Sequence, residues 1–288
     1  MDKTIGNPLS WLAHTFGHGS RYVESSAREF GALDTAPIET RRIGLSDLTL
    51  ALHKGTEDFS ALRTDVIFVV LMYPIIGFVL AWFAFNNALM PLIFPMASGF
   101  ALLGPFAAVG LYEMSRRREM GLETGWGDAF GVIESPSFVP IVTLGGYLVA
   151  TFFVWMVFSY FIYILAFGAE PPVSASAFVQ DLFSTKAGIW MQVVSIGIGA
   201  VVAVIVLAVS FIAFPMMVDR HVGLTRAVLT SVDVAIKNPI TTLAWGAIVV
   251  GLLAVGVLTL FVGLIVFLPI LGHATWHLYR RAVVAPTS

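Results

Sequence analysis

The chain has 288 residues, 58% of them hydrophobic and only 12% charged, with a formal net charge of -2 and a mean hydropathy of +0.87. Such usage lies outside that of soluble globular domains and sets most of the chain against lipid or other apolar helices. Cysteine is absent, which excludes disulfides, thiolate metal sites, iron–sulfur clusters and thiol nucleophiles together.

Residues 1–42, rich in Gly, Ser, Thr, Glu and Arg, read as a mobile cytoplasmic tail. One short amphipathic turn around Leu9, Trp11, Leu12 and Phe16 is a candidate membrane-surface anchor. The first sustained apolar run begins only near Val66, so no cleavable signal is expected. From 43 to 281 the expectation is one all-α integral-membrane domain. A bilayer core of about 30 Å takes roughly 20 apolar residues per helix. The runs 66–85 and 89–111 meet this, and the polar pair Asn86 and Asn87 between them is long enough only for a tight turn.

A second hairpin is expected from 139–167 and 190–214, joined by a longer loop containing Glu170, Pro171, Pro172 and Asp181. The two prolines stop the incoming helix. The final apolar region, 240–278, would make a single helix of about 60 Å, twice the bilayer core. Two short spans, 240–256 and 259–278, fit better, with a turn near 256–259 and a C-terminal tail at 282–288.

Charge supports six spans. Arg41, Arg42, Lys54, Arg63, Arg116, Arg117, Arg118, Arg220, Arg226 and Lys237 fall in segments on one side, with Lys186 alone opposite. Basic loops remain cytoplasmic, and a sixth helix returns Arg280 and Arg281 to that side, so both termini are expected inside a bacterial inner membrane. An internal repeat points the same way. Pro105 precedes Arg116 by the step that separates Pro269 from Arg280, with Tyr112 and Trp276 at matching offsets.

Each hairpin is preceded by an amphipathic stretch introduced by a Gly-Leu pair. The stripes are Leu45, Leu48, Leu52, Phe59 and Leu62; then Leu122, Trp126, Phe130 and Ile133; then Leu224, Val228, Val232 and Ile236. They are expected as cytoplasmic helices lying at the interface or packed under the bundle. Ser135-Pro136 and Asn238-Pro239 end two of them, because the residue before proline is pushed out of the helical region.

Chemistry-bearing residues are few. The apolar runs contain essentially no charge, which argues against an ion-coupled pathway, although Gln192, Ser195, Asn86 and Asn87 leave room for an uncoupled polar path. Glu113 is expected to pair with the cluster Arg116 to Arg118, itself a topology determinant and a contact for anionic lipid. His273 and His277 are four residues apart on one helix face, a spacing that can chelate a metal or offer a haem ligand. Two imidazoles make half a site, and no carboxylate from another span presents itself as a complement, so an aromatic-belt role beside Trp276 and Tyr279 is the expectation. His14 and His18 share the spacing within the tail. Gly197 and Gly199, beside Ser195 and Ala200, permit close helix approach within the chain or between copies. The glycine-rich stretch 121–128 lacks the strand and lysine of a phosphate loop.

The run Arg41 to Leu48, the passage from Gly104-Pro105-Phe106 to Gly110-Leu111-Tyr112-Glu113, and Phe214-Pro215 with Asp219-Arg220 resemble an uncharacterised bacterial integral-membrane family. It is known as domain of unknown function 2189, and the resemblance extends from about 41 to 281. Some relatives carry a label as putative cytochrome c oxidase subunit I. That chemistry needs several histidines from different spans, and the chain has six in all, mostly outside the spans, so the label does not transfer. The family implies no catalytic residue.

The resulting expectation is a non-enzymatic accessory, assembly or membrane-organising protein. No catalytic, cofactor-binding or metal residue is assigned. The bilayer is the partner, with anionic lipid, a membrane protein or a second copy beside it, and no nucleic acid. An uncoupled transporter or channel for a small neutral or amphipathic solute is the alternative.

Overall fold

The computed structural model describes residues 38–84, 87–220 and 222–284, and every regular element among them is helical. Leu9, Trp11, Leu12, Phe16, His14, His18, Asn86 and His221 lie outside the described residues.

Helix α1 (Leu45–Ala84) is continuous over 40 residues. The first amphipathic stretch and the first apolar run are therefore one helix, not a surface helix followed by a separate span, since no proline or turn sequence falls at their junction. The second run is broken instead into a 3-10 segment (Asn87–Leu92), α2 (Ile93–Ala107) and α3 (Val109–Glu119). A 42° bend separates Leu89–Gly99 from Ala101–Ala107. Pro91, Pro95 and Pro105 cause the irregularity, because each lacks an amide donor and crowds the preceding turn. Gly121, at φ 70°, takes the left-handed conformation that ends the chain's run out of α3.

The second amphipathic stretch is a tight 3-10 segment, Trp126–Glu134, not an α-helix. It leads into α4 (Phe138–Phe167), which stops at Gly168 with φ 88°. Residues 168–189, expected as a loop, contain a further helix, α5 (Ala175–Ser184). Ser174 caps it by accepting from the Ala177 amide at 3.2 Å. Phe178 then fills a socket made by Tyr163 and Phe167, with ring centroids 6.0 and 6.1 Å away. Helix α6 (Lys186–Ser210) follows, capped by Thr185, and continues into α7 (Ala213–Arg220).

Helices α8 (Leu224–Lys237) and α9 (Pro239–Leu258) meet at Asn238-Pro239 as the sequence predicts. The last apolar region does divide in two, but its turn lies at 259–263, beyond the predicted 256–259. Gly256 lets Leu264 pack directly on α9, so the helix runs on past it. Leu260 and Phe261 then adopt φ of 54° and 66° to reverse the chain into α10 (Leu264–Ala282).

Among the described residues, three helices are long and apolar enough to cross a membrane: α4, the continuous α6–α7 stretch Lys186–Arg220, and α9. The bent pair around α2 makes a fourth if taken as one span. Within each of the three apolar windows only 28% of residues are buried by the rest of the chain. Their outward faces therefore meet lipid or another protein.

Helices α1 and α10 run antiparallel, from the Asp47–Arg281 ion pair at one end to Phe78 against Phe261 at the other. Between these, Gly55 brings the two backbones together: a side chain there would meet the Ala274 amide and the Ile270 carbonyl, each 2.7 Å away. Residues 39–44, expected to belong largely to the mobile tail, are instead strapped down. The Arg41 amide donates to Ala282, Val284 donates back to Glu39, and Asn238 accepts from the Ile43 amide at 2.8 Å.

Candidate functional site

The C-terminal half of α10 carries a dense polar grouping among the described residues, and α1, α3 and α7 surround it. Its local sequence explains this. Gly272 admits Leu111 of α3, and Ala274 and Gly55 admit α1, so large polar side chains between them are drawn into the interior. His273, Trp276 and Tyr279 are all buried to 1% exposure or less. The expected aromatic belt is thus corrected: these rings belong to the core, because neighbouring helices cover α10 at this level.

The missing complement to the histidines is Asp58 of α1. Its carboxylate, 5% exposed, accepts from His277 Nε2 at 2.8 Å and from Ser115 Oγ of α3 at 2.6 Å, and it pairs with Arg118. Burial pushes the Asp58 carboxyl up, but the bonds from His277 and Ser115 outweigh it and hold the group below the usual carboxylate value. Asp58 is therefore ionised and can only accept. That fixes the direction of the remaining bond. Ser115 spends its proton on Asp58, so His273 Nδ1, 2.7 Å from Ser115 Oγ, must be the donor in that contact. His273 Nε2 is then a buried lone pair with no hydrogen-bond partner among the described residues.

This order differs from that of a hydrolytic triad. The serine lies between carboxylate and imidazole and gives its proton to the carboxylate, so it is not activated as a nucleophile. Ser115 is also only 1% exposed. What the arrangement does is bind three helices: α1 through Asp58, α3 through Ser115 and Arg118, and α10 through His273 and His277. Among the described residues, no three His, Asp or Glu side chains are grouped as metal ligands.

A second grouping extends the first toward the chain ends. Tyr279 donates to Asp219 at 2.5 Å and receives a bond from Arg220 at 3.0 Å. Burial, followed by the Asp219 charge, pushes the Tyr279 phenol well above its ordinary value and keeps it a donor. Arg280 pairs with Asp219 at 3.1 Å and with Glu119 at 3.2 Å, and Glu119 also accepts from Trp276 Nε1 at 3.0 Å. The three arginines of the predicted cluster are each committed to a carboxylate. Arg116 grips Glu113 with two bonds of 2.7 Å, as the sequence suggests, while Arg117 takes Asp128 at 3.0 Å and Arg118 takes Asp58.

The polar residues singled out elsewhere are not brought to this site. Gln192 donates to the Leu182 carbonyl at 2.7 Å and pins α5 to α6, and Ser195 is buried among the helices. Gly199 lies against Trp155, whereas Gly197 faces open space. Sequence reading missed Asp58 and Ser115, for which the only signal was a carboxylate on the amphipathic half of α1 at no helical distance from either histidine.

Comparison with known proteins gives a family without an assigned activity. Residues 93–219 match the family described as Predicted integral membrane protein (DUF2189). This is the uncharacterised family that the sequence resembles, and the matched stretch runs from α2 through α7. It contains Ser115 and Arg118 but neither Asp58 nor the α10 histidines, so the family's matched region holds one wall of the clasp. No curated protein and no solved structure matches the chain.

Proposed function

We propose that this integral membrane protein acts without catalysis, as an accessory, assembly or organising factor of the bacterial inner membrane. The observation that carries this reading is a division of labour. Charged and polar groups at the basic end bind the chain's own helices to one another, while the apolar helices turn most of their surface outward. Exposed residues such as Val157 at 70% and Val193 at 67% lie on these faces, where lipid or a membrane partner meets them.

The topology proposed with it has six crossings in three hairpins, with both termini cytoplasmic. The antiparallel course of α1 and α10 and the reversal at 259–263 support the last two crossings. Anionic lipid headgroups are the natural counterpart of the basic end at the cytoplasmic surface, through residues such as Arg42 that lie on its exposed rim.

Because the chain has no cysteine, single cysteines report topology cleanly. A residue introduced within 169–185 should react with an impermeant thiol reagent from outside cells, and one at Ser288 should not. Photo-reactive residues at Val157 and Val193 should yield discrete protein adducts in intact cells, and vesicles holding the pure protein should stay as tight to small neutral solutes as empty ones. Rapid, saturable solute efflux would replace this reading with the transporter.

A further inference from the structure

Helix α5 is amphipathic in a manner that neither the bundle nor water alone explains. At about 100° per residue, Phe178 and Leu182 occupy a sector from about 0° to 40°, Val179 and Phe183 one from about 100° to 140°, and Gln180, Ser184 and Asp181 one from about 200° to 300°. The first sector faces the protein: Phe178 is buried in its aromatic socket and Leu182 is half-buried against α6. The third is solvated. The second is neither, since Val179 is 52% and Phe183 70% exposed although both are apolar.

The position of α5 supplies the occupant. It is tied to the last turns of α4 through Tyr163 and Phe167 and to the second turn of α6 through Gln192, so its level is that at which two apolar helices leave the hydrophobic layer. Tyr160 and Trp190, 39% and 44% exposed, lie on the adjoining turns of α4 and α6. Aromatic residues of this amphipathic kind concentrate at the headgroup level. With the polar sector toward water, the opposite half of α5 points into the layer; half of that surface is met by the bundle, and Val179 and Phe183 overhang its edge.

We infer that α5 is a lipid-interface anchor, whose Val179 and Phe183 insert into the acyl–headgroup boundary of the leaflet opposite the basic end. The partner is ordinary phospholipid, recognised through apolar contact and not through charge. The placement of α5 on the outer leaflet rests on the six-crossing topology, whereas its depth does not.

Spin labels on single cysteines at Val179, Phe183 and Gln180, with the whole protein in phosphatidylcholine–phosphatidylglycerol vesicles, test the depth. Collisions with oxygen should exceed those with a water-soluble nickel complex at 179 and 183, and the ratio should reverse by several-fold at 180. Equal nickel access at all three positions overturns the inference by placing α5 in water. Shielding of 179 and 183 from both reagents overturns it by showing a protein cover, and spin–spin broadening would identify that cover as a second copy. Two label sites within the apolar sector guard against a local defect at either. Thiol labelling from the two sides fails separately if the topology is wrong.

Discussion

The amphipathic half of α1 and the whole of α8 carry stripes of the same kind, yet the bundle covers them unequally. In α1 the stripe after its first residue, Leu45, turns inward, with Leu48 at 3% and Leu62 at 6% exposure, and packs along α10. In α8 the stripe lies at the edge of the bundle: Leu224 and Val228 pack half-buried against the core, Val232 is half-buried, and Ile236 is exposed. The buried face is Ala227, Thr230, Ser231, Val234 and Ala235, while Leu229 and Ile236 are 64% and 73% exposed. Small residues decide the difference. Gly55 lies on the inward side of α1 beside Leu48, Leu52 and Leu62, so close approach and apolar burial coincide. On α8 the small residues lie apart from the stripe, and Ser231 adds two bonds, accepting from the Ile212 amide at 3.2 Å and donating to the Ala208 carbonyl at 2.7 Å. Where lipid can take up an apolar face, burial is not the scarce resource, and close packing with hydrogen bonds fixes orientation.

The strongest way to break the contrast is to remove the close approach in α1. Gly55→Leu places a side chain against backbone atoms of α10 at 2.7 Å, which cannot move aside as a flexible side chain would. The expected loss is about 3 kcal/mol or more, the upper range for overpacking. It should appear as a large fall in thermal midpoint in detergent, with increased protease access to the strap at 39–44. Unchanged stability would mean that α1 and α10 are not packed as described.

Removing the carboxylate comes next. Asp58→Ala leaves Ser115, His277 and Arg118 without their shared acceptor, and the expected cost is about 2–3 kcal/mol. The pH dependence has a definite sign. The folded pKa of Asp58 lies below its ordinary 3.8, so its contribution is complete above the unfolded value and is lost as pH falls through the folded one. Acid unfolding below about pH 4 should therefore flatten in Asp58→Ala, while the variant's deficit persists at neutral pH. An acid limb of unchanged slope would assign that transition to other carboxylates, such as Asp47 and Asp233.

The two ends of the molecule were unequally legible from sequence. The span starts after Ser135-Pro136 and Asn238-Pro239 were readable because proline acts locally, whereas the helix period did not hold for the second stripe, which falls on a 3-10 segment. Which face the bundle takes was not readable, because Gly55 and Ser231 act through partners on other helices. The clasp shows the same limit. His273 and His277 announce themselves by their spacing, but His277 and Asp58 are separated by 219 residues. Asp58 resembled any solvated charge on an amphipathic helix until α10 was laid against it. Helix α5 was hidden for another reason: Pro171 and Pro172 marked a loop correctly, and ten residues of mixed polarity beyond them gave too short a pattern to weigh against it.

On α8, Ser231→Ala sharpens the comparison at lower cost. It deprives the buried Ile212 amide and Ala208 carbonyl of their shared partner, at the junction where α6 passes into α7. A loss of about 1–2 kcal/mol is expected, the usual effect of leaving a buried group unsatisfied. Faster amide exchange at Ile212 is the specific readout, because a general loosening of α8 would not single out that position.

The smallest effect is expected from Ile236→Ala, and its smallness is the point. The side chain belongs to the predicted apolar stripe, so a stripe that packed the helix to its bundle would make the substitution cost several kcal/mol, as removal of a buried Ile does. At 73% exposure it has little packing to lose, and the detergent-solubilised protein should change by no more than about 0.5 kcal/mol. In vesicles the same substitution removes apolar area from whatever layer the stripe touches. A spin label on the neighbouring Lys237 should then report increased access of the water-soluble nickel complex while the thermal midpoint in detergent stays put. A large loss of stability in detergent would return Ile236 to the protein core and erase the distinction between α8 and α1.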